Sequence, residues 1–85
     1  MNNALKTFQE VLEIEKRVKG PDHIETSITM NKIGSLYKDK KDFVSALKYL
    51  EDSLKTQQKA SQGKEVDTSE TEMEIGEIYL KMGKI

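Results

Sequence analysis

The feature that most constrains this chain is a match to itself at a fixed offset. Ile33-Gly34-Ser35-Leu36-Tyr37 returns 42 residues later as Ile75-Gly76-Glu77-Ile78-Tyr79. At the same offset Ala4-Leu5-Lys6 matches Ala46-Leu47-Lys48, Leu12 matches Leu54, Thr26-Ser27 matches Thr68-Ser69, and Thr29 matches Thr71. Self-similarity at a period of this length marks a repeat architecture. Each unit buries its apolar face only against its neighbours, so contacts run along the chain rather than into one central core.

The repeated residues have a packing logic. Gly34 and Gly76 carry no side chain, so a neighbouring helix can approach the backbone there. The helix-propensity penalty, about 0.8–1 kcal/mol each, is tolerable where close packing returns more. Ile33 and Tyr37 lie four apart on one helical face and press on the same neighbour. Ala46 is then the small residue of the partner helix and Leu50 the large one a turn further on.

Apolar spacing and capping signals predict about four helices. The first, about 2 to 18, places Leu5, Phe8 and Leu12 inward, with Val11 and Val18 less regularly so. Its outer face holds Glu13 with Arg17 and Glu15 with Lys19 in the favourable i,i+4 order. Gly20-Pro21 stops it, and Asp22 is expected to cap a second helix reaching about Lys38, with Ile24, Met30, Ile33 and Tyr37 inward. Lys38-Asp39-Lys40-Lys41-Asp42 reads as a turn whose lysines offset the helix dipole. Asp42 is expected to cap a third helix, about 43 to 60, with Phe43, Ala46, Leu47, Leu50 and Leu54 inward. Ser61-Gln62-Gly63-Lys64 is a loop. A fourth helix, about 66 to 81, carries Met73, Ile75, Gly76, Ile78 and Tyr79, with Gly83 as its terminator and Glu65 and Asp67 near its start.

Composition narrows the function. The chain has 85 residues, 35% hydrophobic and 34% charged, which suits exposed amphipathic helices over a thin core. A net charge of -1 gives no basis for nucleic acid or an anionic membrane as partner. No apolar run is long enough to span a bilayer, and the N-terminus lacks the pattern of a signal peptide. Zero cysteines remove any disulfide framework and suit a reducing compartment, so a cytoplasmic location is the expectation. His23 is the only histidine, and loop packing or capping is the expected role for it. The acids Glu65, Asp67, Glu70, Glu72, Glu74 and Glu77 lack the glycine-containing loop spacing of a calcium site. With no phosphate loop either, the chain reads as non-enzymatic and free of cofactor or metal.

Met30-x2-Ile33-Gly34-x2-Tyr37, followed by Ala46 and Leu50, carries a family resemblance. So does the link Lys19-Gly20-Pro21-Asp22-His23-Ile24 running into Thr29-Met30-Asn31-Lys32. The chain resembles tetratricopeptide repeats, specifically the 42-residue kind of kinesin light chains. It departs from that pattern at three places. Lys41 stands where a turn glycine is expected, Glu72 where a large core residue is expected, and Gln62-Gly63-Lys64-Glu65 where the Gly-Pro-Asp-His link would recur.

The resemblance implies an all-α fold of antiparallel helix-turn-helix repeats, a segment of a helical solenoid. If the helix with Gly and Tyr is A and the one with Ala is B, the chain runs B, A, B, A. That divides a single domain into a half repeat at about 1–20, a full repeat at about 22–62 and a half repeat at about 64–85. The resemblance also implies that ligands lie along the concave face of the A helices. Carried over, that face comprises Ile28, Asn31, Lys32, Ser35, Lys38 and Asp39, then Glu70, Met73, Glu74, Glu77 and Lys81. Asn31 is the amide able to pair with a ligand's backbone, and lysines opposite glutamates suit an extended peptide with charges of both signs. The expected activity is therefore a scaffold binding a protein or peptide segment. The alternatives are self-association through the end faces, Leu5, Phe8 and Leu12 at one end and Ile75, Ile78 and Tyr79 at the other, or a regulatory domain of a larger protein.

Overall fold

A computed structural model of the chain describes residues 2–61 and 68–83, and these fold into four helices with no strand among them. They are α1 (Asn2–Val18), α2 (Ile24–Asp39), α3 (Phe43–Ala60) and α4 (Ser69–Met82). The all-α expectation holds, and the first three helices match the predicted spans closely. The fourth begins at Ser69 rather than near 66. The readings made for Gln62, Gly63, Lys64, Glu65, Val66 and Asp67 lie outside the described residues.

Local chemistry sets the ends. Lys16 and Arg17 occupy the last turn of α1, where positive charge suits the free carbonyls. The helix stops as Lys19 and Gly20 donate back to the Glu15 carbonyl at 2.8 and 3.1 Å, with Gly20 at φ 96°. The cap of α2 is a correction: His23, not Asp22, fills the position, its Nδ1 accepting from the Glu25 amide at 3.1 Å. Asp22 instead lies 4.0 Å from Lys59 of α3. Asp42 caps α3 as expected, accepting from the Ser45 amide at 3.3 Å, and Gly83 ends α4 at φ 75°.

Side-chain pairs give the topology. Glu15 meets Thr29 while Gln9 meets Tyr37, so α1 and α2 run antiparallel. The Gly34 backbone lies against Leu50 and Ala46, and Ser53 donates to the Ser27 carbonyl at 2.8 Å, so α2 and α3 do the same. Gln57 with Thr71 and Glu51 with Tyr79 set α3 against α4 in the same sense. By contrast Asn31, Ser35 and Lys38 meet Thr71, Glu74 and Glu77 in rising order, which makes α2 and α4 parallel neighbours. The whole is a slab with Cα extents of 36 × 32 × 14 Å. Two helix layers about 8–10 Å apart account for its thinnest dimension.

Two polar bridges repeat at the 42-residue offset with the donor reversed. Thr29 donates to Glu15, whereas at the equivalent places Gln57 donates to Thr71. Gln9 donates to the Tyr37 hydroxyl, whereas the Tyr79 hydroxyl donates to Glu51. A carboxylate only accepts and an amide NH2 only donates, so a hydroxyl, able to do both, bridges either way.

The core is half polar. Leu12, Met30 and Ile33 form one buried cluster and Ala46, Leu50 and Ile78 another, with Tyr37 packing on both and stacking on Tyr49 at 5.7 Å. Burying Ile33, Leu50 and Ile78 stabilises the fold by about 1.5–3 kcal/mol each. Beside them Thr26, Ser27, Thr29, Ser53, Thr56, Gln57 and Thr71 are also buried.

Several residues expected inward are not. Val11 and Ile24 are partly exposed, at 37% and 38%, and Val18 is 75% exposed. The end faces are also corrected. Leu12 and Ile78 are buried in the clusters, with Leu5, Phe8 and Ile75 packed against them. The large apolar residues that α1 and α4 expose are Val11, Ile14 and Val18, and Met73 and Leu80.

Candidate binding groove

Because α2 and α4 are parallel, residues spaced three or four apart on each form two facing rows. Asn31 donates through Nδ2 to the Thr71 hydroxyl at 2.8 Å. Ser35 donates to Glu74 Oε2 at 2.6 Å, and Lys38 Nζ lies 3.4 Å from the same oxygen and 3.6 Å from Glu77. Lys38 and Glu74 are each largely shielded from water, so theirs is the best placed of the ion pairs along the seam.

This pairing alters the expected chemistry of the groove. The Asn31 amide, expected to face a ligand's backbone, is engaged by Thr71, which Gln57 reaches from below at 3.1 Å. Gln57 Oε1 is buried with no hydrogen-bond partner among the described residues. Lys38, Glu74 and Glu77, expected on opposed charged walls, instead pair with one another across the seam. Asn31, Ser35 and Glu74 therefore form a preset polar floor.

Above that floor lies a cleft of about 260 Å³ lined by Phe8, Asn31, Lys32, Ser35, Leu36, Glu70 and Glu74. It falls below the roughly 300–1,000 Å³ of sites that engulf small molecules, and suits one or two side chains of a longer ligand. Lys32 is exposed, with its ammonium 5.6 Å from the centre of the Phe8 ring, a cation–π arrangement. Glu70 stands exposed on the α4 side. The cleft thus has an apolar patch, one positive edge and one negative edge.

Of the eleven residues assigned to the groove from sequence, Asn31, Lys32, Ser35, Glu70 and Glu74 line this cleft, and Lys38 and Glu77 continue its seam. Ile28, Asp39, Met73 and Lys81 are exposed but do not line it. Phe8 and Leu36 line it without having been assigned. Leu36 follows Lys32 by four residues, a signal present in the sequence. Phe8 reaches the cleft from α1, which only the packing of α1 on α2 reveals.

His23 serves as a helix cap. Among the described residues no group of three or more His, Cys, Asp or Glu is placed to hold a metal ion. No described helix is long and apolar enough to cross a membrane.

The sequence profile of the family described as Tetratricopeptide repeat matches residues 1–59, covering α1, α2 and nearly all of α3. No curated protein matched the chain. Repeats of this kind generally mediate protein–protein interaction and are generally non-enzymatic scaffolds. A profile match over more than half the sequence, on paired helices that repeat every 42 residues, makes the chain a member of the tetratricopeptide repeat family.

Proposed function

We propose that the chain is a non-catalytic scaffold that binds an extended segment of a partner protein along the seam between α2 and α4. The observation that supports this reading is the cleft at Phe8, Lys32, Leu36 and Glu70, set over a floor already held in place by hydrogen bonds. A preset floor lowers the ordering penalty of binding. The apolar patch takes a ligand side chain, Lys32 an acidic group and Glu70 a basic one. The 42-residue spacing supports repeats of the kinesin-light-chain-like kind, divided as half, full and half repeat.

The test uses peptides selected from a random library on the wild-type chain, with binding sites mapped by amide chemical shifts. The discriminating variant is Lys32→Glu combined with Glu70→Lys, because both residues are exposed and neither belongs to the floor. Shifts should centre on Lys32, Leu36 and Glu70, and the variant should lose affinity by tenfold or so, the equivalent of about 1.4 kcal/mol. Selected peptides that bind elsewhere, or that bind the variant equally well, would exclude the groove as the working surface. Substituting Asn31 or Ser35 is less informative, since that loosens the packing of α4 on α2.

A further inference from the structure

Gly34 and Gly76 hold equivalent places in the repeat but differ in what covers them. A Cβ at Gly34 would meet Leu50 Cγ at 2.7 Å and the Ala46 carbonyl at 3.3 Å, whereas one at Gly76 would meet nothing within 4 Å. α4 therefore presents openly the bare backbone stripe on which α3 lies in α2.

The complementary surface is on α1. Its Ala4 and Phe8 stand where Ala46 and Leu50 stand in α3. Its exposed Val11 and Ile14 stand where Ser53 and Thr56 meet α2, through the Ser27 carbonyl and the Met30 sulfur. At its exposed Ala4, Val11 and Ile14, α1 thus carries outward the register that α3 uses inward, with Val11 and Ile14 in place of hydroxyls, while Phe8 already packs on the Leu12, Met30 and Ile33 cluster of its own chain. α4 likewise exposes Met73 and Leu80 at the places of Asn31 and Lys38, where α2 meets its parallel neighbour.

We propose that copies of this chain stack head to tail, α1 of one copy lying on α4 of another as α3 lies on α2. The seam supplies a charge match. Ser35 faces Glu74 within the chain, and the equivalent pair one repeat on is Glu77 of one copy opposite Lys32 of the next. Both are exposed and of opposite sign, and Glu77, 3.6 Å from Lys38 of its own chain, keeps about half of its side chain open to the next copy. The contact joins two different surfaces, so it does not close on itself and gives an open series rather than a symmetric dimer.

The experiment is sedimentation of the full chain from micromolar to millimolar concentration. The wild type should rise steadily above its 9.7 kDa monomer mass, as mass action requires of an open series. Gly76→Leu places a side chain in the contact, and its Cβ meets nothing within 4 Å inside the monomer. It should remain helical by circular dichroism and stay monomeric. Ile14→Lys with Val18→Lys blocks the other end at exposed positions and should do the same. Mixing the two variants leaves one intact end on each and should restore a species of twice the monomer mass and nothing larger. A wild type that remains at 9.7 kDa throughout, a Gly76→Leu chain that associates like the wild type, or a mixture that stays monomeric would each overturn the proposal.

Discussion

Lys41 adopts the left-handed conformation, φ 66°, at the turn between α2 and α3. Its amide donates to the Lys38 carbonyl at 2.9 Å while Asp42 donates to Tyr37 at 2.9 Å, the pair of bonds that closes a helix around a left-handed residue. A side chain there carries a penalty of about 1–2 kcal/mol, part of which glycine gives back through its looser unfolded state. Lys41→Gly should therefore raise stability by up to about 1 kcal/mol in urea unfolding. The helical glycines should respond in opposite directions. Gly34→Ala forces Leu50 aside and should destabilise the chain by about 1–3 kcal/mol. Gly76→Ala, open on that side, should stabilise it by up to about 1 kcal/mol. Tyr79 gives a pH signature. Its hydrogen bond to Glu51, and then the charge of that carboxylate, raise the phenol above its ordinary value. The folded state therefore holds the proton more tightly than the unfolded chain does. The stabilisation is complete below the unfolded value near about 10 and is lost as pH climbs through the folded one. Glu51→Gln should lower the titration midpoint of the Tyr79 ring, read by its carbon-13 shifts.

At the level of elements, α4 is held differently from α2 and α3. Its side toward α3 buries Ile78, but its side toward α2 relies on directional bonds from Asn31, Ser35 and Lys38. Thr71→Val removes the hydroxyl shared by Asn31 and Gln57 and should weaken the seating of α4 by about 1–3 kcal/mol. Hydrogen exchange should show α4 amides losing protection while those facing one another in α2 and α3 keep theirs. The helices themselves were legible because spacing and caps are local: Asp42 and Gly83 act where the sequence placed them. The departure at Lys41 was legible too, though not that lysine would adopt the glycine conformation. The cap of α2 was misassigned because Asp22 and His23 both offer an acceptor, and the path of the chain after Gly20 decides between them. In the groove, residue types were readable but their pairing was not. Whether Asn31 and Lys38 face a ligand or α4 depends on the parallel register of two helices 40 residues apart, which no local pattern carries.

For the molecule as a whole, one feature of the interior governs its response to temperature. Thr26, Ser27, Thr29, Ser53, Thr56, Gln57 and Thr71 fill space that aliphatic side chains fill in most small domains. On unfolding, exposed apolar surface raises the heat capacity and exposed polar surface lowers it. The heat-capacity increment should therefore fall below the usual value of about 12–15 cal/mol/K per residue, measurable by scanning calorimetry. A small increment flattens the dependence of stability on temperature. A thin slab of this size has little stability to spare, but what it has should change slowly with warming or cooling. The hydroxyls that set one helix pair against the next also make the chain a poor thermometer.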